Sequence, residues 1–233
     1  MCHQFTRSLL LIFFCVTIPA IIFCQPDSVR NRGIPPAKQK ERVLWGNTYA
    51  LIVGISSYKN LEQLNYADDD ARSIRDYFLD SKIVRRENMY DLIDSNATRS
   101  AVFADLNKIY SKIRPDSNDR VVIYFAGHGD NESITGQGYL LAYDCEKASY
   151  ASSDAIFIPQ LESVVNALAA KAKVILITDA CRSGNLSGQK AGALLTMRML
   201  NTGFANVTKI LSCEEDQLSQ EKYFPGGGHG VFT

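Results

Sequence analysis

The sequence predicts an α/β protein: a mostly parallel sheet between helical layers, a three-layer α/β/α sandwich. Three observations predict it. The runs Tyr49–Ile55, Val121–Ala126 and Lys173–Asp179 are nearly continuous in apolar residues, which suits strands buried on both faces. Segments with apolar residues at helical spacing lie between them, and alternation of strand and helix favours parallel pairing. Two of the runs end in turns that carry a His or a Cys.

Taken in order, the chain opens on a targeting segment. Arg7 precedes the apolar run Leu9–Phe23. At about 15 residues the run suits a signal-peptide core and is short for a membrane span. Residues 1–24 are expected to be a signal peptide cut after Cys24, or else an uncleaved membrane anchor. Either way the rest is expected to be exported, periplasmic or secreted, with membrane contact only if the leader is kept. Residues 25–43 are polar, basic and Pro-containing, and read as a flexible linker. Residues 44–233 read as one domain, with no internal repeat.

Within that domain Tyr49–Ile55 is the first strand. Ala67 to Asp80 has helical spacing, with Ala71, Ile74, Tyr77 and Phe78 on one face. Asp68, Asp69 and Asp70 fill its first turn, where carboxylates complement the helix dipole. A short strand near Met89–Ile93 precedes a helix from about Thr98 to Ile113, with Val102, Leu106 and Tyr110 in register. Val121–Ala126 is the second buried strand. Tyr139–Tyr143 reads as a short strand or hairpin arm. Pro159 to Lys171 is a helix with Pro near its start. Lys173–Asp179 is the third buried strand, and Val207–Leu211 a further one. The run Gly226–Gly230 reads as a turn before a strand at Val231–Phe232.

Composition narrows the function. The 233 residues are 46% hydrophobic, 10% aromatic and 21% charged, which excludes collagen-like, low-complexity and wholly disordered chains. Lys+Arg and Asp+Glu number 25 each, so no nucleic-acid partner held by a basic surface is expected. Without a C-x-x-C pair or H-E-x-x-H, no zinc is expected. The histidines are His3, His128 and His229. Beyond the leader the cysteines are Cys145, Cys181 and Cys213. An odd number leaves at least one unpaired in an oxidising compartment. A Cys145–Cys213 disulfide and three reduced thiols both fit.

The chemistry concentrates at two strand ends. One reads Phe125-Ala126-Gly127-His128-Gly129-Asp130, the other Thr178-Asp179-Ala180-Cys181-Arg182-Ser183-Gly184. In open parallel sheets, sites lie beyond the carboxyl ends of the strands. Both turns would open on the same edge, bringing the imidazole near the thiol, as nucleophile activation requires. A thiol is mostly protonated at neutral pH, and a neighbouring imidazole relieves that. Backbone N–H groups of Gly129 and Cys181 would serve a developing oxyanion.

These residues carry a resemblance. Asp179-Ala180-Cys181-Arg182-Ser183-Gly184 is close to the caspase nucleophile signature, and His128 stands about 50 residues upstream. The chain resembles the caspase-like cysteine peptidases, peptidase C14, and within them the metacaspase type. The resemblance covers about Tyr49 to Thr233 and includes Tyr66–Ala71 and Ala97-Thr98-Arg99. It implies the caspase–haemoglobinase fold, His128 as general base and acid, and Cys181 as nucleophile. Where caspases hold Gln two residues before the nucleophile, this chain has Asp179, and a carboxylate there favours a cationic P1 residue. Metacaspases cut after Arg or Lys with a second carboxylate from the first helix turn, which matches Asp70, with Asp69 as the neighbouring alternative.

The expected function is therefore an exported cysteine endopeptidase acting on protein or peptide substrates with Arg or Lys at P1, a monomer in the simplest case. Self-cleavage is expected in the basic linker, after Arg30, Lys38, Lys40 or Arg42, or after Lys190. No cofactor is required. Calcium stimulates many metacaspases, but no carboxylate occurs between Cys181 and Glu214; Asp130, Asp144 and Glu146 are the remaining acidic candidates. The chain also reads as stopping short of the final helix such a domain normally adds to its sheet. Two competing readings are a catalytically silent caspase-like binding or scaffold module, and another Cys-nucleophile hydrolase such as an esterase or amidase. N-x-[ST] sequons begin at Asn96, Asn131, Asn185 and Asn206.

Overall fold

Thr48–Gly54, buried throughout, forms strand β1, an interior strand of the main sheet. The computed structural model describes residues 46–132, 134–147, 150, 154–180, 191–212, 221–224 and 227–230, the backbone alone for 191–194 and the last two segments. Contacts group the chain into residues 1–42 and 43–233, and all described residues belong to the second unit.

Helix α1 (Ala67–Asp80) follows β1, then strand β2 (Met89–Ile93), helix α2 (Arg99–Lys112) and strand β3 (Arg120–Ala126). Short strands β4 (Gly129–Asn131), β5 (Gly138–Leu140) and β6 (Ile156–Phe157) lead into helix α3 (Ile158–Ala169). Strand β7 (Lys173–Asp179), helix α4 (Ala191–Thr202) and strand β8 (Thr208–Leu211) come next, then β9 (Glu221–Phe224) and β10 (Gly227–Gly230). The main sheet has five parallel strands in the order β2-β1-β3-β7-β8. β4, β5 and β6 form a separate antiparallel sheet, and β9 pairs with β10.

Alternate side chains of the main sheet serve two cores, as the strand period requires. Ala50, Ile52, Val122, Tyr124 and Ala126 pack with Ala67 and Ala71 of α1 on one face. Leu51, Val53, Ile123, Phe125 and Leu176 meet Leu106 and Ile109 of α2 and Leu161, Val165 and Leu168 of α3 on the other. The three-layer mostly parallel architecture is thus present.

Local chemistry accounts for several boundaries. Thr98 caps α2 by accepting the Ala101 N–H at 3.2 Å, and Pro159 sits in the first turn of α3. α1 crosses Gly54 so closely that a Cβ there would stand 2.3 Å from Ala71 Cβ.

Three expectations need correction. Tyr77 is 60% exposed while Ile74 and Phe78 pack on the core, because Asp70 and Ala71, not Tyr77, complete the buried stripe. On α2, Ile109 takes the buried place and Tyr110 lies 39% exposed under Lys171, whose Nζ is 3.6 Å from the ring centroid. Residues 227–230 form a strand against β9, not a turn. Val231 and Phe232 lie outside the described residues.

Candidate active site

Register brings the two loaded turns together. Ala126, the last residue of β3, is the partner of Asp179, the last residue of β7. One step on, Gly127 donates its N–H to the Asp179 carbonyl at 3.2 Å. Gly129 then packs on Ala180: a Cβ at Gly129 would lie 2.8 Å from the Ala180 oxygen and 3.0 Å from the Thr196 methyl. Glycine is required here because two backbones approach where a side chain would stand. Cys181 itself, with its thiol, lies outside the described residues; Ala180 is its neighbour in the chain.

His128 is buried, at 2% exposure. Its Nε2 is 2.8 Å from the Glu62 carbonyl oxygen. A carbonyl oxygen can only accept, so Nε2 carries the proton and donates it, and the neutral ring has its lone pair on Nδ1. The ring packs against Tyr58, centroids 4.7 Å apart and planes at 36°. Neither Tyr58 nor the Glu62 carbonyl was picked out from sequence. A carbonyl contact leaves no trace in residue type, and Tyr58 reads there as one more loop aromatic.

Pairing geometry orients Gly129. Leu141 donates its N–H to the His128 carbonyl at 2.9 Å, which makes 128 and 141 a hydrogen-bonded antiparallel pair. The next pair, Gly129 with Leu140, is then non-hydrogen-bonded, so the Gly129 N–H is directed away from β5.

Asp130 is buried at 1% exposure. Its Oδ1 accepts the Asn131 N–H at 2.8 Å, its Oδ2 accepts the Tyr150 hydroxyl at 2.8 Å, and its carbonyl accepts Thr196 Oγ1 at 2.7 Å. Burial, then the Asp130 charge beside it, pushes the Tyr150 phenol well above the usual tyrosine value. Both Asp130 oxygens already face donors, which suits structure and not a cation. Among the described residues no group of three or more His, Cys, Asp or Glu side chains gathers to hold a metal.

Asp70 and Asp179 are both fully buried, while Asp69 is exposed. Asp70 lies in the first turn of α1, on the side turned to the sheet with Ala67 and Ala71. Asp179 shares its strand face with Ile177, which packs into the α1-side core. The two carboxylates therefore lie on one side of the sheet, near its carboxyl edge.

A buried His, close-approach glycines, a strand-end carboxylate and a helix-turn carboxylate thus lie near the carboxyl edge of one parallel sheet. Residues 47–233 match the model of the caspase domain, peptidase C14. The chain belongs to this family of cysteine peptidases. It is 24% identical over 153 residues to Metacaspase-1 of Eremothecium gossypii, a match spanning 60% of this chain and 32% of that protein. The fold resembles the crystal structure of protein GSU0716 from Geobacter sulfurreducens, with a TM-score of 0.57 and 17% identity over 79% of this chain and 78% of that one.

Proposed function

We propose that this chain is an exported cysteine endopeptidase that cleaves after Arg or Lys. The observation that supports the reading is the seating of Gly129, next to His128, on Ala180, the residue that precedes Cys181 in the chain. In the proposed reaction His128 Nδ1 takes the Cys181 thiol proton, and the thiolate adds to the scissile carbonyl carbon. The Gly129 and Cys181 N–H groups receive the oxyanion. The C–N bond breaks, His128 returns the proton to the departing amine, and an acyl-enzyme remains. Water, deprotonated by the same imidazole, hydrolyses the thioester and restores the thiol. Asp70 and Asp179 attract the cationic P1 side chain, their charge acting through a low-dielectric interior. Burial of both on one sheet face supports that role. The apolar leader supports export.

Hydrolysis of Arg-, Lys- and Asp-P1 fluorogenic peptides, with and without calcium, tests the reading. Arg and Lys peptides are expected to be cut without calcium, and Cys181→Ala to abolish turnover. Asp179→Asn is expected to lower kcat/KM for Arg peptides by about 10-fold or more. Cleavage of Asp-P1 peptides alone would overturn the pocket assignment, and no cleavage of any peptide would favour the scaffold reading.

A further inference from the structure

We propose that Tyr58 is a positioning residue for His128, its hydroxyl setting the backbone of the His-bearing turn and its ring setting the plane of the imidazole. The inference rests on the cysteine-peptidase reading and extends it to a side chain outside both loaded turns. Tyr58 is buried at 3% exposure in the loop between β1 and α1. Its Oη accepts the His128 backbone N–H at 2.7 Å and donates to the Leu141 carbonyl at 3.2 Å. His128 and Leu141 are the pair across which an antiparallel ladder runs direct N–H···O=C bonds. The hydroxyl stands between this N–H and this carbonyl, and relays the bond.

The turn is shaped to admit that hydroxyl. A Cβ on Gly127 would lie 2.6 Å from Tyr58 Oη, so glycine before His128 leaves the room the oxygen occupies. The same loop supplies a second hold on the ring, since Glu62 accepts from Nε2 four residues after Tyr58. Gln63 Nε2 donates to the Tyr58 carbonyl at 2.7 Å and folds the loop upon itself. Asp94 Oδ1 accepts the N–H groups of Ser56 and Ser57, each at 2.9 Å, and ties the loop to the end of β2. Backbone, ring plane and tautomer of His128 are thereby all fixed from one loop, as a general base needs for an aligned lone pair.

The test uses the full chain and two readouts. Iodoacetamide alkylation of Cys181 against pH reports how far the imidazole promotes the thiolate, independently of peptide hydrolysis. Peptide kinetics split kcat from KM. Tyr58→Phe keeps the ring and removes the hydroxyl. It is expected to lower kcat about 10-fold or more with KM changed less than about 2-fold, and to move the alkylation profile toward that of His128→Ala. Tyr58→Leu removes both contacts and is expected to go further; should it fail to fold, Tyr58→Phe still decides. Tyr49→Phe, which loses a buried hydroxyl bonded to the Lys112 carbonyl, controls for stability and is expected to leave both readouts unchanged. If Tyr58→Phe matches wild type in kcat and profile, or if Tyr49→Phe reproduces its losses, the positioning role is overturned. If His128→Ala leaves the wild-type alkylation profile unchanged, the peptidase reading itself fails instead.

Discussion

At the scale of residues, the His128 turn is held by groups that do no chemistry. Gly127 and Gly129 are needed for what lies against them, a tyrosine hydroxyl and the Ala180 carbonyl. Beyond the ring, Asp130 anchors the turn through Tyr150 and Thr196. Tyr150→Phe leaves a buried carboxylate short of one donor and is expected to cost about 1–3 kcal/mol at neutral pH, read from denaturant melts. The pH dependence has a definite sign. The Tyr150 phenol is raised above its ordinary value of 10.0, so the folded state holds this proton more firmly than the unfolded chain. Its contribution is complete below about pH 10 and is lost as pH rises beyond that. Wild type is therefore expected to lose stability more steeply than Tyr150→Phe above pH 10; parallel curves would refute the assignment. At this scale strand-end position and turn glycines single out His128 and Cys181 in the sequence, while Asp179 and Asp70 were singled out with the help of the family resemblance. Tyr58 was not, since its partners lie some 70 residues away in sequence.

At the scale of elements, helix α4 carries the connection between the two turns. It follows the segment that contains Cys181, and it grips the small antiparallel sheet: Thr196 bonds the Asp130 carbonyl, and Met199 sulfur accepts the Gly138 N–H at 3.0 Å. Thr196→Val keeps the shape and removes the hydroxyl. Faster amide exchange at residues 129–131 is expected, with a lower kcat toward Arg peptides and a melting temperature within a few degrees of wild type. Unchanged exchange there would show that α4 does not restrain the turn. Element boundaries were well marked in the sequence where a local cause exists. Ala67–Asp80 and Met89–Ile93 were placed as they stand, and Thr98 and Pro159 announce their helices. Tyr77 and Tyr110 misled because spacing identifies a stripe while the partner element decides its centre. The glycine-rich segment 227–230 misled because its pairing with β9 depends on the neighbouring strand.

At the scale of the whole molecule, a parallel sheet packed on both faces carries the strand-end turns at its carboxyl edge. The matched stretch is only 32% of Metacaspase-1, so activity of the intact relative does not transfer by itself. Self-processing is the molecular-scale prediction of the proposed Arg/Lys specificity, since Arg30, Lys38, Lys40 and Arg42 precede the domain in the sequence. Intact-mass measurement of purified wild type is expected to show termini after one of these residues, and Cys181→Ala to remain whole. The same fragments from both proteins would assign the cuts to another protease.

The sequence alone determined the layered α/β class, the strands that precede His128 and Cys181, and the common edge on which those strands end. These follow from period, run length and turn chemistry, all encoded within a few neighbouring residues. Tertiary structure alone decided that Gly129 rests on Ala180, that Asp70 and not Asp69 is buried, and that one loop grips His128 from both ring and backbone. Such contacts join residues distant in the chain through carbonyls and hydroxyls. Their partners are chosen by how the elements pack, and no local pattern records them.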